Sequence, residues 1–309
     1  MLHLEVGKIL RKKAEARKRA VLSASSPDYI KQSLLGKKST FAANEAYKTA
    51  RTNLMFTRVG DGSQTFVFTS SFSGEGKTVT CCNLALSMAQ NGQKVLIIDA
   101  DMRRPMVANM FDIPNQQGLS EFLAGLTTNV IGNGSHEMQL WQTQYPNLAV
   151  IPAGHVPPNP VELLASSRMK TLLDAAAKTF DYIFIDTPPV SVVTDAAVLV
   201  KNVQGYIMVV RAGVTPREQL SGTVLKLEQV GANILGFVLN DLDAKSGSYK
   251  YNGYHSYGRY GKQKRYGKDY GKYASRQPQR ETGSYPMPVE VPVANPDEEA
   301  TEGDTHDAN

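Results

Sequence analysis

Cysteine is almost missing. The 309 residues contain two, Cys81 and Cys82, and they are adjacent. Neighbours on a helix point about 100° apart and do not pair, so the chain has no disulfide framework. Two small core residues in a reducing compartment is the reading preferred over a redox centre. Long apolar runs are missing too. None approaches the roughly 18 residues of a spanning helix, although 41% of residues are hydrophobic, enough for a core. The basic cluster Lys8, Arg11, Lys12, Lys13, Arg17, Lys18 and Arg19 is not followed by an apolar stretch, so it does not read as a signal peptide. His136 and His155 have no second His or Cys at metal-ligand spacing and read as solvated loop residues. Residues 246–273 lack Leu, Ile, Val, Phe and Met, and cannot bury a conventional core. After Tyr285 there is no Lys or Arg, while Glu290, Asp297, Glu298, Glu299, Glu302, Asp304 and Asp307 follow. The net charge of +5 is therefore split between a basic beginning and an acidic end.

What is present falls into three zones. Residues 1–40 are basic, with Leu2, Leu4, Val6, Ile9 and Leu10 ahead of the Lys/Arg cluster. They read either as an amphipathic helix on a partner or membrane surface or as a solvated terminus. Residues 41–242 read as one α/β domain, opening with a helix over about 41–60. Apolar runs at Thr65–Ser71, Lys94–Ala100, Asn147–Pro152, Asp181–Thr187, Gly205–Arg211 and Ile234–Asn240 predict strands. Helices are predicted over Gly76–Gln90, Val161–Lys178 and Pro216–Val230, with Asn91-Gly92 stopping the first. Such alternation predicts a doubly wound, mostly parallel sheet covered on both faces. Thr127–Tyr145 has weak periodicity and reads as a surface insertion. Residues 243–309 read as a flexible tail.

Chemistry concentrates at strand ends. The run Ser71-Phe-Ser73-Gly74-Glu75-Gly76-Lys77-Thr78-Val79 follows a strand and opens a helix. It matches the P-loop pattern G-x-x-x-x-G-K-[ST] except that Ser71 replaces the first Gly. Gly74 and Gly76 let backbone N–H groups turn inward around phosphate oxygens, beside the positive end of the helix dipole. Lys77 is placed to reach the β and γ phosphates, and Thr78 to offer its hydroxyl to Mg²⁺. A second apolar strand ends in Asp186-Thr-Pro-Pro, the position of a Mg²⁺-holding carboxylate. A third ends in Asp99-Ala-Asp101-Met-Arg103-Arg104-Pro105. If the extended backbone continues, Asp99 and Asp101 share a face, suiting one to the metal and one to the proton of a hydroxyl. Arg103 is placed to neutralise phosphate or to bind an acidic partner.

The tail carries Tyr249, Tyr251, Tyr254, Tyr257, Tyr260, Tyr266, Tyr270 and Tyr273, eight of the chain's 14 tyrosines, among Lys and Arg. Three readings stand: a single-strand nucleic-acid binder through stacking and charge, an inert tail, or a set of phosphoryl acceptors near a nucleotide site.

Taken together these motifs resemble the bacterial tyrosine kinases of capsule and exopolysaccharide export. The resemblance rests on Ser70–Thr78, on Val95–Arg103 with Arg104-Pro105, on Ile183–Pro189 and on the tyrosine cluster, and it spans about residues 40–273. It implies the doubly wound P-loop NTPase fold that ParA and MinD proteins share, flanked by disordered tails. It implies ATP and Mg²⁺ as cofactors, with Lys77 and Thr78 on the phosphates and metal, Asp101 and Asp186 organising Mg²⁺, and Asp99 a candidate base. Which of Asp99 and Asp101 has which role stays open. The activity implied is tyrosine autophosphorylation between neighbouring subunits of a ring. The family's ring-forming E-x-x-R-x-x-R appears here as Glu45, Lys48 and Arg51, and Lys48 cannot reproduce the fork of an arginine. Implied partners are further copies of the chain, a membrane-embedded activator of the chain-length-regulator type and a tyrosine phosphatase. No nucleic acid is expected. The implied location is cytoplasmic, at the inner face of the plasma membrane through the activator. A switch ATPase of the ParA/MinD type is the nearest rival. It carries a lysine where this chain has Phe72, and it lacks a tyrosine tail. A nucleotide-switched adaptor with a binding tail is the second rival.

Overall fold

In the computed structural model the described residues are 33–36, 39–57, 60–127 and 140–242. The tyrosine cluster, His136, the basic cluster and the acidic end lie outside them.

The apolar runs expected as strands form a parallel sheet, buried in its middle and partly exposed at its β7 edge. They are β1 (Gln64–Ser70), β2 (Val95–Asp99), β4 (Leu148–Ile151), β5 (Tyr182–Asp186), β6 (Gly205–Arg211) and β7 (Ile234–Asn240). A two-residue β3 (Trp141–Gln142) runs antiparallel to β4 at one edge, and the seven-stranded order is β3-β4-β2-β5-β1-β6-β7. The doubly wound, mostly parallel expectation is borne out. Alternate residues of a strand serve opposite faces. Phe66, Phe68 and Phe184 join one apolar cluster, while Val67, Ile183 and Ile185 join the other. Both clusters are nearly dry, which is why these strands read as continuous apolar runs rather than alternating ones. Phe68 and Phe184 lie 4.8 Å apart between ring centroids, packing β1 against β5 on one face.

Helix α1 (Phe41–Phe56) starts where the Thr40 hydroxyl accepts the Ala43 N–H at 3.2 Å. Helix α2 (Lys77–Gln90) is buried along most of its length and includes Cys81 and Cys82, both free thiols. Burial raises both thiol pKa values, which suits the core reading. Ahead of α1, Leu34 and Leu35 are buried in the same cluster as α2. Asn83 of α2 clasps that segment, accepting the Leu35 N–H at 2.7 Å and donating to the Ser33 carbonyl at 2.8 Å.

Two expectations need correction. The single helix over Val161–Lys178 is two helices, α5 (Pro160–Leu164) and α6 (Ser167–Ala176). Ser166 between them is extended, and its hydroxyl bonds the Leu163 carbonyl at 2.7 Å, so a polar side chain replaces the next helical N–H. The described end of the supposed insertion, 140–145, is part of the sheet edge. Leu140 is buried, Trp141 and Gln142 pair with Val150 and Ala149, and the Thr143 hydroxyl donates to the Leu148 carbonyl at 2.9 Å. Two further short helices, α3 (Val107–Phe111) and α4 (Leu119–Leu123), follow β2, and a 3₁₀ turn (Ala197–Asn202) precedes β6. Helix α7 (Arg217–Gln229) links β6 to β7 as expected.

Candidate active site

The loop from Ser71 to Gly76 leaves β1 and enters α2. Gly74 and Gly76 have φ of +83° and +88°, the left-handed backbone that glycine adopts without a Cβ clash. At Gly76 a Cβ would also stand 2.0 Å from Asn240 Nδ2. Asn240, the last residue of β7, donates to the Glu75 carbonyl at 3.0 Å. The buried Glu75 carboxylate turns back into the loop. It accepts the Phe72 N–H at 3.0 Å and the hydroxyl of Thr215, just beyond β6. The nucleotide loop is therefore held from the ends of β6 and β7.

Lys77 stands at the centre. Its ammonium lies 3.0 Å from Asp101 Oδ2, 3.2 Å from Asp186 Oδ2 and 3.1 Å from the Thr78 hydroxyl. The Thr78 hydroxyl donates to Asp186 Oδ2 at 2.6 Å. Burial works to lower the Lys77 pKa, but the charges of Asp186 and Asp101 outweigh it and the net shift is upward. The Asp186 carboxyl is raised by burial, with Lys77 and Thr78 opposing.

Asp99 and Asp186 face each other across the β2–β5 register. Asp99 nevertheless differs from the other acids. Its Oδ2 accepts the N–H groups of Met106 and Val107, each at 3.0 Å, and its Oδ1 accepts the Asp101 N–H at 3.2 Å. Burial, and then the charge of Asp186, pushes its carboxyl up to about 8 against the Val107 N–H. Asp101 instead turns one oxygen to Lys77 and the other to the Arg104 N–H, at 3.1 Å. The guanidinium of Arg103 forks onto Asp195, Nε to Oδ2 at 3.1 Å and Nη2 to Oδ1 at 3.3 Å.

Residues distant in sequence thus meet at the C-terminal ends of β1, β2 and β5, the edge where open α/β sheets bind ligands. A family model described as an AAA domain matches residues 64–220. The tyrosine-protein kinase CpsD of Streptococcus agalactiae is 36% identical over 221 residues, covering 72% of this chain and 91% of that protein. The chain belongs to the family of bacterial tyrosine-protein kinases. The tyrosine-protein kinase YwqD of Bacillus subtilis is 36% identical over 211 residues, covering 68% of this chain and 86% of the relative. Among solved structures, the kinase domain of the Escherichia coli tyrosine kinase ETK aligns with a TM-score of 0.59 at 38% identity, covering 68% of this chain and 80% of that one. The chimerical protein CapA2B2 aligns with a TM-score of 0.59 at 34% identity, covering 65% and 85%.

The tyrosine-kinase chain has the P-loop NTPase fold, and its glycine loop is a nucleotide-binding element. Lys77, Thr78, Asp101 and Asp186 converge within hydrogen-bonding distance, whereas Asp99 is turned onto loop amides. Among the described residues no group of three or more His, Cys, Asp or Glu has the arrangement of an all-protein metal cage. A Thr hydroxyl with one or two carboxylates does suit Mg²⁺, which keeps waters and takes its remaining oxygens from phosphates. The residues expected on the ring helix lie on α1. Lys48 pairs with Glu45 at 2.8 Å, and Arg51 donates to the Ser87 carbonyl of α2 at 2.9 Å. His155 is an exposed loop residue, as expected, and its Nδ1 lies 2.7 Å from Glu121 Oε1. Asp195, Thr215 and Asn240 are the residues that the sequence reading missed. None belongs to a spaced motif, and only Asn240, a polar side chain closing a strand at the ligand edge, carried a signal.

Proposed function

We propose that this chain is an ATP-dependent tyrosine autokinase that phosphorylates its own tyrosine cluster, Tyr249 to Tyr273, in trans within an oligomer. The observation that carries the reading is the convergence of Lys77, Thr78, Asp101 and Asp186 in a chain of this family. Lys77 holds the β and γ phosphates. Ser73 to Val79 wrap the phosphates with backbone N–H groups. Thr78 and Asp186 would hold Mg²⁺, which would neutralise phosphate charge. Asp101 takes the proton of the incoming tyrosine hydroxyl as its oxygen bonds to the γ-phosphorus and the bond from that phosphorus to ADP breaks. Asp99 positions the loop that carries Asp101, and Arg103 adds positive charge beside the transferred group. The protein contributes position and charge rather than covalent chemistry.

Each phosphate adds about −1.5 to −2 charges. A tail of Lys, Arg and Tyr that becomes anionic is repelled by an acidic site, so product leaves and the oligomer loosens. Glu45, Lys48 and Arg51 on α1 are the proposed contacts between copies. Among the described residues no helix is long and apolar enough to cross a membrane. A membrane-embedded activator of the chain-length-regulator type, a tyrosine phosphatase, a place at the inner membrane face and a role in capsule or exopolysaccharide production complete the proposal.

The test is intact mass after incubation with Mg·ATP, wild type beside Lys77→Met. Mass steps of one phosphoryl group, present in wild type and reduced at least about 10²-fold in rate in the variant, support the reading. ATP hydrolysis by wild type without any phosphotyrosine refutes it and leaves a switch ATPase with a binding tail.

A further inference from the structure

Arg103 is half-exposed, yet its fork closes on a carboxylate with 0% exposure, that of Asp195. A buried carboxylate is costly unless it is paired, so its placement under an arginine of the site calls for a reason. The segment from Asp186 to Asp195 supplies one. At its start it is fastened to β1 and the nucleotide loop. The Thr187 N–H donates to the Phe68 carbonyl at 3.1 Å, the Thr69 hydroxyl to the Pro188 carbonyl at 2.9 Å and the Val190 N–H to the Ser70 carbonyl at 3.0 Å. The Ser191 hydroxyl donates to the Ser71 carbonyl. At its end it is fastened to the core, where the buried Tyr206 hydroxyl donates to the Ala196 carbonyl at 2.8 Å. Asp195 therefore projects from a backbone held on both sides, and it reaches across to the loop leaving β2. That loop is a tight turn in which the Arg104 N–H meets the Asp101 carbonyl at 3.1 Å and the Asp101 carboxylate at 3.1 Å. Arg103 lies inside this turn, and Asp101 at its start faces Lys77.

We propose that Asp195 is a positioning residue for phosphoryl transfer. By gripping Arg103 in a fork it locks the 101–104 turn to the β5 loop, so that Asp101 keeps its place beside Lys77 and Arg103 its direction in the turn. This rests on the kinase reading above. An arginine fork fixes direction as well as distance, which an ammonium in the same place does not. The donors of Arg103 that Asp195 leaves unused are thereby aimed in advance, and a fixed charge needs no reorganisation during reaction.

The experiment compares wild type, Asp195→Asn, Arg103→Gln, Arg103→Lys and the double variant Asp195→Asn/Arg103→Gln. Phosphotyrosine formation and ADP release are followed in parallel, with Lys77→Met as the blank. Asp195→Asn is expected to lower kcat about tenfold or more, with KM for ATP within about twofold of wild type. Because Asp195 acts through Arg103, adding Asp195→Asn to Arg103→Gln is expected to lower the rate no further. Arg103→Lys, which keeps the charge and removes the fork, is expected to lose rate as Asp195→Asn does, and it carries the test if Asp195→Asn fails to fold. Wild-type kcat in Asp195→Asn overturns the proposal, as does full activity in Arg103→Lys or the same fractional loss with and without Arg103. Absence of phosphotyrosine in wild type is failure of the kinase reading, and the pair is then judged on ADP release.

Discussion

The site places three carboxylates around one ammonium and gives them different work. Asp186 holds Thr78 and Lys77, Asp101 holds Lys77, and Asp99 holds three backbone N–H groups. Replacing a carboxylate by an amide separates those roles. In Asp99→Asn the amide nitrogen must confront a backbone N–H, so a loss of about 1–3 kcal/mol in stability is expected. In Asp101→Asn the proton acceptor goes while the fold stays, so the transfer rate is expected to fall about 10²–10⁴-fold with little change in stability. Denaturant unfolding and phosphotyrosine rates measured on both variants check this. An active Asp101→Asn beside a stable, inactive Asp99→Asn reverses the assignment. At this scale the sequence was legible wherever spacing encodes contact. Ser71 to Thr78 form one loop and the first helical residues after it, and neighbours in the motif are neighbours in space. The spacing of Asp99 and Asp101 was legible too, but not their division of labour, because that depends on the amides of Met106 and Val107, which carry no side-chain signature. Asp195 was hidden for a related reason, since its partner is 92 residues away in sequence.

Among the elements, the strands were the easiest to read. Strands buried on both faces have apolar centres without alternation, and β1, β2, β5 and β6 do. The break between α5 and α6 was harder. A serine pair is a weak break in sequence, and it ends the helix here because the Ser166 hydroxyl takes the Leu163 carbonyl. The clasp of Asn83 on residues 33–35 was invisible for the same reason as Asp195. It ties the segment ahead of α1 to the helix that carries Lys77 and Thr78. Asn83→Ala removes the acceptor of the buried Leu35 N–H, and a loss of about 1–3 kcal/mol is expected. Limited proteolysis ahead of Thr40 should quicken in parallel. Unchanged unfolding and cleavage contradict a clasp.

For the whole molecule, composition drew the broad divisions. An apolar-rich stretch is followed by one, 246–273, that lacks Leu, Ile, Val, Phe and Met, and the described residues end at 242. The glycine loop and the two aspartate-bearing turns leave three different strands, and the sheet order β2-β5-β1 explains why they meet. The central claim is that this domain phosphorylates a tail of the same kind of chain, in trans. The most direct measurement mixes two incomplete partners with Mg·ATP: a chain truncated after Asp243, with an intact site and no tyrosine cluster, and a full-length Lys77→Met chain, with the cluster and no working site. Peptide mass spectrometry then reads the acceptor. Phosphate on tyrosines between Tyr249 and Tyr273 of the Lys77→Met chain is the predicted result. An unmodified acceptor, beside wild-type chain that labels itself under the same conditions, contradicts transfer between copies.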